Sequence, residues 1–193
     1  KYCYIQHPTR GKVLFNLYPF QEDILRCYIN HKYNVVLKSR QLGLTTVTGG
    51  YALWKMLFTS DFQILVISKD KEAAKELVSR IRLMFDDLPS WLKVDCIENN
   101  KLSLIFKNGS SIKAFAASAE AGRSLALSLL ILDEAAFIDQ IDTIWTAAAP
   151  AVTSHGSACT ILSTPNGVGN FFHKTWVKAE EGKEVAGTNM RFY

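Results

Sequence analysis

Val35-Val36-Leu37-Lys38-Ser39-Arg40-Gln41-Leu42-Gly43-Leu44-Thr45-Thr46 is the stretch on which the fold turns. Val35–Leu37 is an apolar run too short for a helix, and a helical stretch follows the loop through about Phe58. Strand, loop and helix in that order form the frame of the phosphate loop G-x-x-x-x-G-K-[ST]. Superposed on it, Gly43 takes the second glycine and Thr45 the hydroxyl, while Lys38 replaces the first glycine and Leu44 the lysine. Such a loop wraps a phosphate with its backbone N–H groups and the N-terminus of the next helix. Its first and seventh residues therefore end near the same phosphates, and a flexible lysine stem can deliver its ammonium from the first position. Gly43 still permits close backbone approach. Thr45 can place a hydroxyl on Mg²⁺, and Arg40 adds a cation suited to a terminal phosphate. Taken alone, the loop leaves open an ordinary strand–turn–helix with a chance Lys-Ser-Arg.

Further along, Leu129-Leu130-Ile131-Leu132-Asp133-Glu134 reads as a buried strand that ends in two carboxylates. In a parallel sheet, sites lie outside the carboxyl ends of the strands. One carboxylate there can hold Mg²⁺ and its neighbour can polarise a water for in-line attack on a γ-phosphate. We assign Asp133 to the metal, with Thr45, and Glu134 to the general base.

The rest of the pattern alternates strands and helices. Pro19 to about Asn30 is helical, with Phe20, Ile24, Cys27 and Tyr28 on one face. Phe62–Ser68 is a buried strand. Asp70–Phe85 is an amphipathic helix that buries Ala73, Leu77, Val78, Ile81 and Phe85 and leaves Lys71, Lys75, Glu76, Arg80 and Arg82 wet. Leu102–Phe106 and Ser111–Phe115 flank Asn108-Gly109, a hairpin signal. A nearly continuous apolar run spans Leu125–Leu132. Ile138–Ala149 and about Asn170 to Glu181 are helical, Cys159–Leu162 is a strand, and Met190–Tyr193 begins a last one. The alternation predicts an α/β fold with a parallel sheet, and the hairpin is an antiparallel addition.

Composition bounds the rest. The 193 residues are 48% hydrophobic, enough for one sizeable core and too many for a disordered chain. Lys and Arg exceed Asp and Glu by 22 − 18 = +4, a mild bias toward anionic partners. Cys3, Cys27, Cys96 and Cys159 have no zinc or disulfide spacing and read as buried thiols. His7, His31, His155 and His173 show no ligand spacing. No apolar run is long enough to span a bilayer, and no signal-peptide pattern is present. The sequence begins at Lys1, which suggests a segment of a longer protein.

Three weaker candidates stay open on their residues alone. Phe20 and Gln21 either stack and pair with an adenine base or are a core ring and a surface amide. Arg123 either stabilises phosphoryl-transfer charge or is a surface arginine. Ser163-Thr164-Pro165 either senses a γ-phosphate or simply turns the chain.

Tyr18-Pro19-Phe20-Gln21, Lys38–Thr46, Gly122-Arg123, Leu129–Phe137 and Ser163-Thr164-Pro165-Asn166-Gly167 occur in this order. Together they resemble the ATPase domain of the large terminase subunit of tailed bacteriophages, over about residues 14–193. The resemblance implies a P-loop NTPase core of the ASCE type, with a mostly parallel central sheet flanked by helices on both faces. Residues 1–17 would be a lead-in. It implies that Phe20 and Gln21 bind adenine and that Lys38, Ser39, Arg40, Gln41, Leu42, Gly43, Leu44, Thr45 and Thr46 form the nucleotide loop. Glu134, Arg123, Lys38 and Arg40 would be catalytic, and Ser163, Thr164 and Pro165 would couple hydrolysis to motion. Arg123 would reach a neighbour's ATP. Leu44 departs from the lysine of many members, although some carry a lysine at the loop's start, as Lys38 does here.

The implied activity is Mg²⁺-dependent ATP hydrolysis that drives double-stranded DNA into a procapsid. The implied partners are the portal, the small terminase subunit and a five-membered ring of copies, in the host cytoplasm, with no membrane. A lid subdomain and a C-terminal nuclease would follow the ATPase core. No nuclease activity is expected of these residues, and the isolated domain should be a monomer and a poor ATPase. The rival readings are a DExx-type helicase and a DNA- or portal-binding module weakened by Leu44.

Overall fold

The computed structural model describes residues 2–7, 9–117, 126–154, 156–185 and 190–193. The chain runs β1 (Tyr4–His7), β2 (Gly11–Leu14), α1 (Pro19–Asn30), β3 (Tyr33–Leu37), α2 (Leu44–Phe58), β4 (Gln63–Ser68), α3 (Lys71–Asp86), β5 (Cys96–Asn99), β6 (Ser103–Phe106), β7 (Ser111–Ala116), β8 (Leu129–Asp133), α4 (Ile141–Ser154), β9 (Ala158–Ser163) and α5 (Phe171–Glu180). A short 3₁₀ turn, Ala135–Phe137, follows β8.

Seven strands form one sheet in the order β3-β9-β8-β4-β7-β6-β5. The first five are parallel, and β6 and β5 are added antiparallel. Successive strand residues face opposite sides, and the apolar pattern uses both. Val36, Ile64, Val66, Leu129 and Ile131 enter one core with Tyr28 of α1, Tyr51 and Met56 of α2 and Leu77 and Ile81 of α3. Val35, Leu65, Ile67, Leu130 and Leu132 enter the other with Ile144 and Trp145 of α4 and Phe171 of α5. A sheet covered on both faces needs such unbroken apolar strands, so the mostly parallel α/β architecture expected from the sequence is the one observed. No helix among the described residues is long and apolar enough to cross a membrane.

Several local expectations need correction. The buried side of α1 is Gln21, Ile24, Leu25 and Tyr28, whereas Phe20 and Cys27 are exposed. Only Cys159 is a fully buried thiol; Cys3 is partly buried, and Cys27 and Cys96 are exposed. Helix α4 starts at Ile141 rather than Ile138 and continues through Pro150 to Ser154. Met190–Tyr193, read as the beginning of a strand, does start to pair: Tyr193 trades two backbone hydrogen bonds with Tyr33 and Val35 on the outer edge of β3. The β1–β2 hairpin and β5 gave no signal in the sequence. Strand β5 is exposed throughout and carries a bulge at Cys96–Glu98.

The Asn-Gly hairpin is present. Gly109 N donates to Phe106 O at 3.1 Å, and Phe106 N to Ser110 O at 2.9 Å. Gly109 has φ +82°, and a Cβ on it would lie 2.0 Å from Asp61 Oδ1. A side chain at that φ costs about 1–2 kcal/mol before any clash. Gly109→Ala should therefore destabilise the fold by about 2 kcal/mol, seen as a lower urea midpoint. An unchanged midpoint would show that the turn tolerates a side chain.

Candidate active site

Four strand ends lie level in the sheet. Leu37 of β3 pairs with Ser163 of β9, Leu162 with Asp133 of β8, and Asp133 with Ser68 of β4. The loop after β3, the acidic pair on β8 and Ser163-Thr164 must therefore meet at the carboxyl edge. The loop, the acidic pair and Thr164 border a cavity of about 530 Å³, whose wall is completed by Lys69, by Phe137 and by Ala73, Glu76, Leu77 and Arg80 of α3.

The loop reaches α2 through two left-handed residues, Gln41 at φ 64° and Gly43 at φ 70°. Helix α2 starts at Leu44, so its first N–H groups have no partner within the helix. Leu44 is 4% exposed and belongs to the core under α1, α2 and α3. Leu44 thus packs against the core while also bordering the cavity, and the cation of this loop comes from another position.

It comes from Lys38. The Lys38 ammonium lies 2.6 Å from Glu134 Oε1 and 3.6 Å from Asp133 Oδ1, and it donates to Thr45 Oγ1 at 3.2 Å. Its side chain is 8% exposed. Thr45 Oγ1 donates to Asp133 Oδ1 at 3.4 Å. Glu134 stands at φ 54°, an uncommon conformation for a side-chain-bearing residue and one that gathers at functional sites. Its other oxygen, Oε2, accepts from the Thr164 N–H at 3.3 Å and from the Thr164 hydroxyl at 3.2 Å. Ser163 Oγ accepts from Ala136 N at 3.1 Å, tying the end of β9 to the turn after the acidic pair.

The two carboxyls titrate in opposite directions. Burial pushes the Asp133 carboxyl up, against the pull of Lys38. Burial would push Glu134 up as well, but the Lys38 hydrogen bond and charge, with the two bonds from Thr164, outweigh it and bring Glu134 below its ordinary value. Two oxygens, Thr45 Oγ1 and Asp133 Oδ1, are placed to share a small hard cation. Among the described residues no three His, Cys, Asp or Glu side chains converge. The donor set fits Mg²⁺, which keeps much of its shell as water and phosphate oxygens.

The remaining candidates are placed as follows. Ser39, Arg40, Gln41 and Leu42 are exposed on the loop, and Arg40 makes no ion pair among the described residues. Thr46 is buried on the first turn of α2. Phe20 is 41% exposed and stacks on Tyr18, with ring centroids 5.7 Å apart. Gln21 is buried, and both ends of its amide are used. Its Nε2 donates to Leu42 O at 2.8 Å, and its Oε1 accepts from Tyr18 N at 3.1 Å. Pro165 is exposed beyond Thr164. Arg123 and His155 lie outside the described residues. Arg80, read from the sequence as part of a wet face, is 41% exposed at its side chain and also lines the cavity, donating to Thr46 Oγ1 at 2.8 Å. Its place beside Leu77 and Ile81, at the flank of the buried stripe, was the available signal.

Residues 35–192 match the family described as Terminase large subunit, T4likevirus-type, N-terminal. The chain belongs to the large terminase family. Among solved structures it resembles the large terminase ATPase domain of Thermus phage P74-26, with a TM-score of 0.75 at 21% identity over 92% of this chain and 79% of that one. The large terminase of bacteriophage HK97 aligns with a TM-score of 0.70 at 23% identity, over 92% of this chain and 38% of that one. The large terminase of a thermophilic bacteriophage, in complex with ADP, aligns with a TM-score of 0.68 at 14% identity, over 87% and 44%. The chain thus spans less than half of these two terminases. At such identities the likeness is one of fold, and that fold is the ASCE-type P-loop architecture, here with β9 lodged between β3 and β8.

The Gln21 geometry makes a prediction for this terminase domain. Gln21→Ala removes the donor to Leu42 O and should cost about 1–2 kcal/mol of stability, measured by denaturant unfolding without nucleotide. Full retention of stability would mean that the amide does not brace the loop.

Proposed function

We propose that this domain hydrolyses ATP with Mg²⁺ and that the energy drives double-stranded DNA into a procapsid. The observation that carries the reading is the reach of Lys38, which starts at the first loop position and joins the hydroxyl of Thr45 to both carboxylates. Loop and acidic pair are thereby one site, with its lysine supplied from an unusual place. The family membership supports the motor role, and the ADP complex of a relative supports the nucleotide.

In this reading the α2 N-terminus, Gly43 and the N–H groups of Leu44, Thr45 and Thr46 cradle the phosphates. Thr45 and Asp133 would hold Mg²⁺, which supplies charge neutralisation at the phosphates when bound. Phosphate offers Lys38 a stronger partner than Glu134. As Lys38 turns toward it, Glu134 Oε1 is freed while Thr164 keeps Oε2 in place. The freed oxygen takes a proton from a water as that water attacks the γ-phosphorus and the bond to the ADP oxygen breaks. Arg40 offers charge to the transferring group, and Arg123 offers charge to the ATP of a neighbouring copy. Thr164 senses the state of Glu134 and passes it to the Ser163–Pro165 segment. Phe20 lies next to the loop brace Gln21 as a stacking surface for the base. The portal, the small terminase subunit and a five-membered ring complete the machine.

Three measurements test the reading on the full-length protein. Glu134→Gln should keep ATP binding and lower kcat by about a hundredfold or more; normal turnover would remove Glu134 as the base. Lys38→Ala should lose turnover, and adding Leu44→Lys should fail to restore it because position 44 faces the core. Rescue by that second substitution would overturn the assignment of Lys38. Given portal and procapsid, the parent should package duplex without unwinding a forked substrate. Strand separation would favour a helicase.

A further inference from the structure

Arg80 is a cation in the cavity wall that the mechanism above does not use. It is brought there by the close approach of α3 to α2. A Cβ on Gly49 would lie 3.1 Å from Ile81 Cγ1 and 3.4 Å from Leu77 Cδ1, so only a glycine lets α3 come this near without adjustment. Thr46 lies about one helical turn before Gly49, and Arg80 sits between Leu77 and Ile81. The Arg80 Nη1 donates to Thr46 Oγ1 at 2.8 Å, while Nη2 is held by Glu76 one turn earlier on the same helix.

The direction of that bond matters. A guanidinium can only donate, so Thr46 Oγ1 must accept, and the hydroxyl hydrogen of Thr46 remains to be given away. Helical threonines commonly give it to the carbonyl four residues back, as Thr48 does to Leu44 O at 2.9 Å and Thr175 to Phe171 O at 2.9 Å. For Thr46 the residue four back is Leu42, which precedes the N-cap Gly43 and lies outside the helix, and its carbonyl accepts from Gln21 Nε2. Among the described residues the Thr46 hydroxyl has no acceptor, although the residue is only 7% exposed. It stands on the first turn of α2 at the edge of the same cavity, where unpaired N–H groups already favour an anion.

We propose that Arg80 is a positioning residue for nucleotide phosphate: it fixes the Thr46 hydroxyl as a donor toward a phosphate seated on the N-terminus of α2. It also sets a positive charge beside that phosphate, from α3, while Lys38 serves from the end of β3. The inference rests on the nucleotide reading of the site.

The test uses the full-length protein, ADP and a non-hydrolysable ATP analogue in calorimetry, and thermal melting without nucleotide. Arg80→Gln should weaken binding of both nucleotides about tenfold and leave the nucleotide-free melting temperature unchanged. Thr46→Val should produce a similar loss and Thr46→Ser little or none. The Arg80→Gln/Thr46→Val double variant should bind no worse than the weaker single, because the two side chains act as one unit. Parent-like binding by either Arg80→Gln or Thr46→Val overturns the proposal, as does a double variant whose losses multiply. If Arg80→Gln lowers the melting temperature, Thr46→Val, which keeps the packing, decides between brace and phosphate contact. A parent that binds neither nucleotide overturns the nucleotide reading itself, and this inference with it. A parent that binds normally beside an unaffected Arg80→Gln overturns this inference alone.

Discussion

The buried contact between the Lys38 ammonium and Glu134 joins everything else in the site. A lysine at 8% exposure is tolerable only with charged partners close by, and Lys38 has one carboxylate at 2.6 Å and a second at 3.6 Å. Those partners lie at the end of β8 and just past it, two strands away across β9. The pair therefore fixes the relative position of the phosphate loop and the acidic edge before any ligand arrives. Because Thr164 holds the second Glu134 oxygen, three segments far apart in sequence share one small electrostatic cluster. Removing Lys38 would leave both carboxyls without their cation.

The sheet makes that cluster possible. Register brings Leu37, Ser163, Leu162, Asp133 and Ser68 to a common edge, and apolar contacts on both faces leave the strands little freedom to slide. Helix α3 contributes both by packing and by the side chains it sets in the cavity wall. Gly49 admits Ile81 and Leu77 against α2, and the flank of the same helix carries Arg80 to the cavity. Core packing and site geometry are thus set by the same helix pair.

Much of this was legible in the residues. Strands β3, β4, β8 and β9 announce themselves as β-branched or leucine runs, and Asp133-Glu134 at the end of one of them marks the site edge. The loop was legible despite two substituted positions, because its glycine, hydroxyl and one lysine survive. What the sequence could not show depends on neighbours distant along the chain. Leu44 reads as a lost lysine until the core beneath it is seen. Gln21 reads as an adenine contact or a surface amide, and only the structure shows both ends of it bonded to Tyr18 and Leu42. Phe20 and Cys27 fit a helical stripe as well as Leu25 does, and only the packing of α1 against α2 and β3 selects among them. Arg80 is partly solvated, as read, but a helical pattern cannot say that a cavity lies beside its flank. Strand β5 has no apolar face, so it carried no signal.

The two outer strands of the sheet are closed by different means. The open side of β3 is occupied at Tyr33 and Val35 by the backbone of Tyr193, while β5 is short, bulged and polar at several positions. Unpaired strand edges are templates for joining chains, and such devices discourage that. Continuation of the sheet is thereby disfavoured at both of its edges. The strand that launches the phosphate loop is then spared the distortion that edge-to-edge pairing would impose.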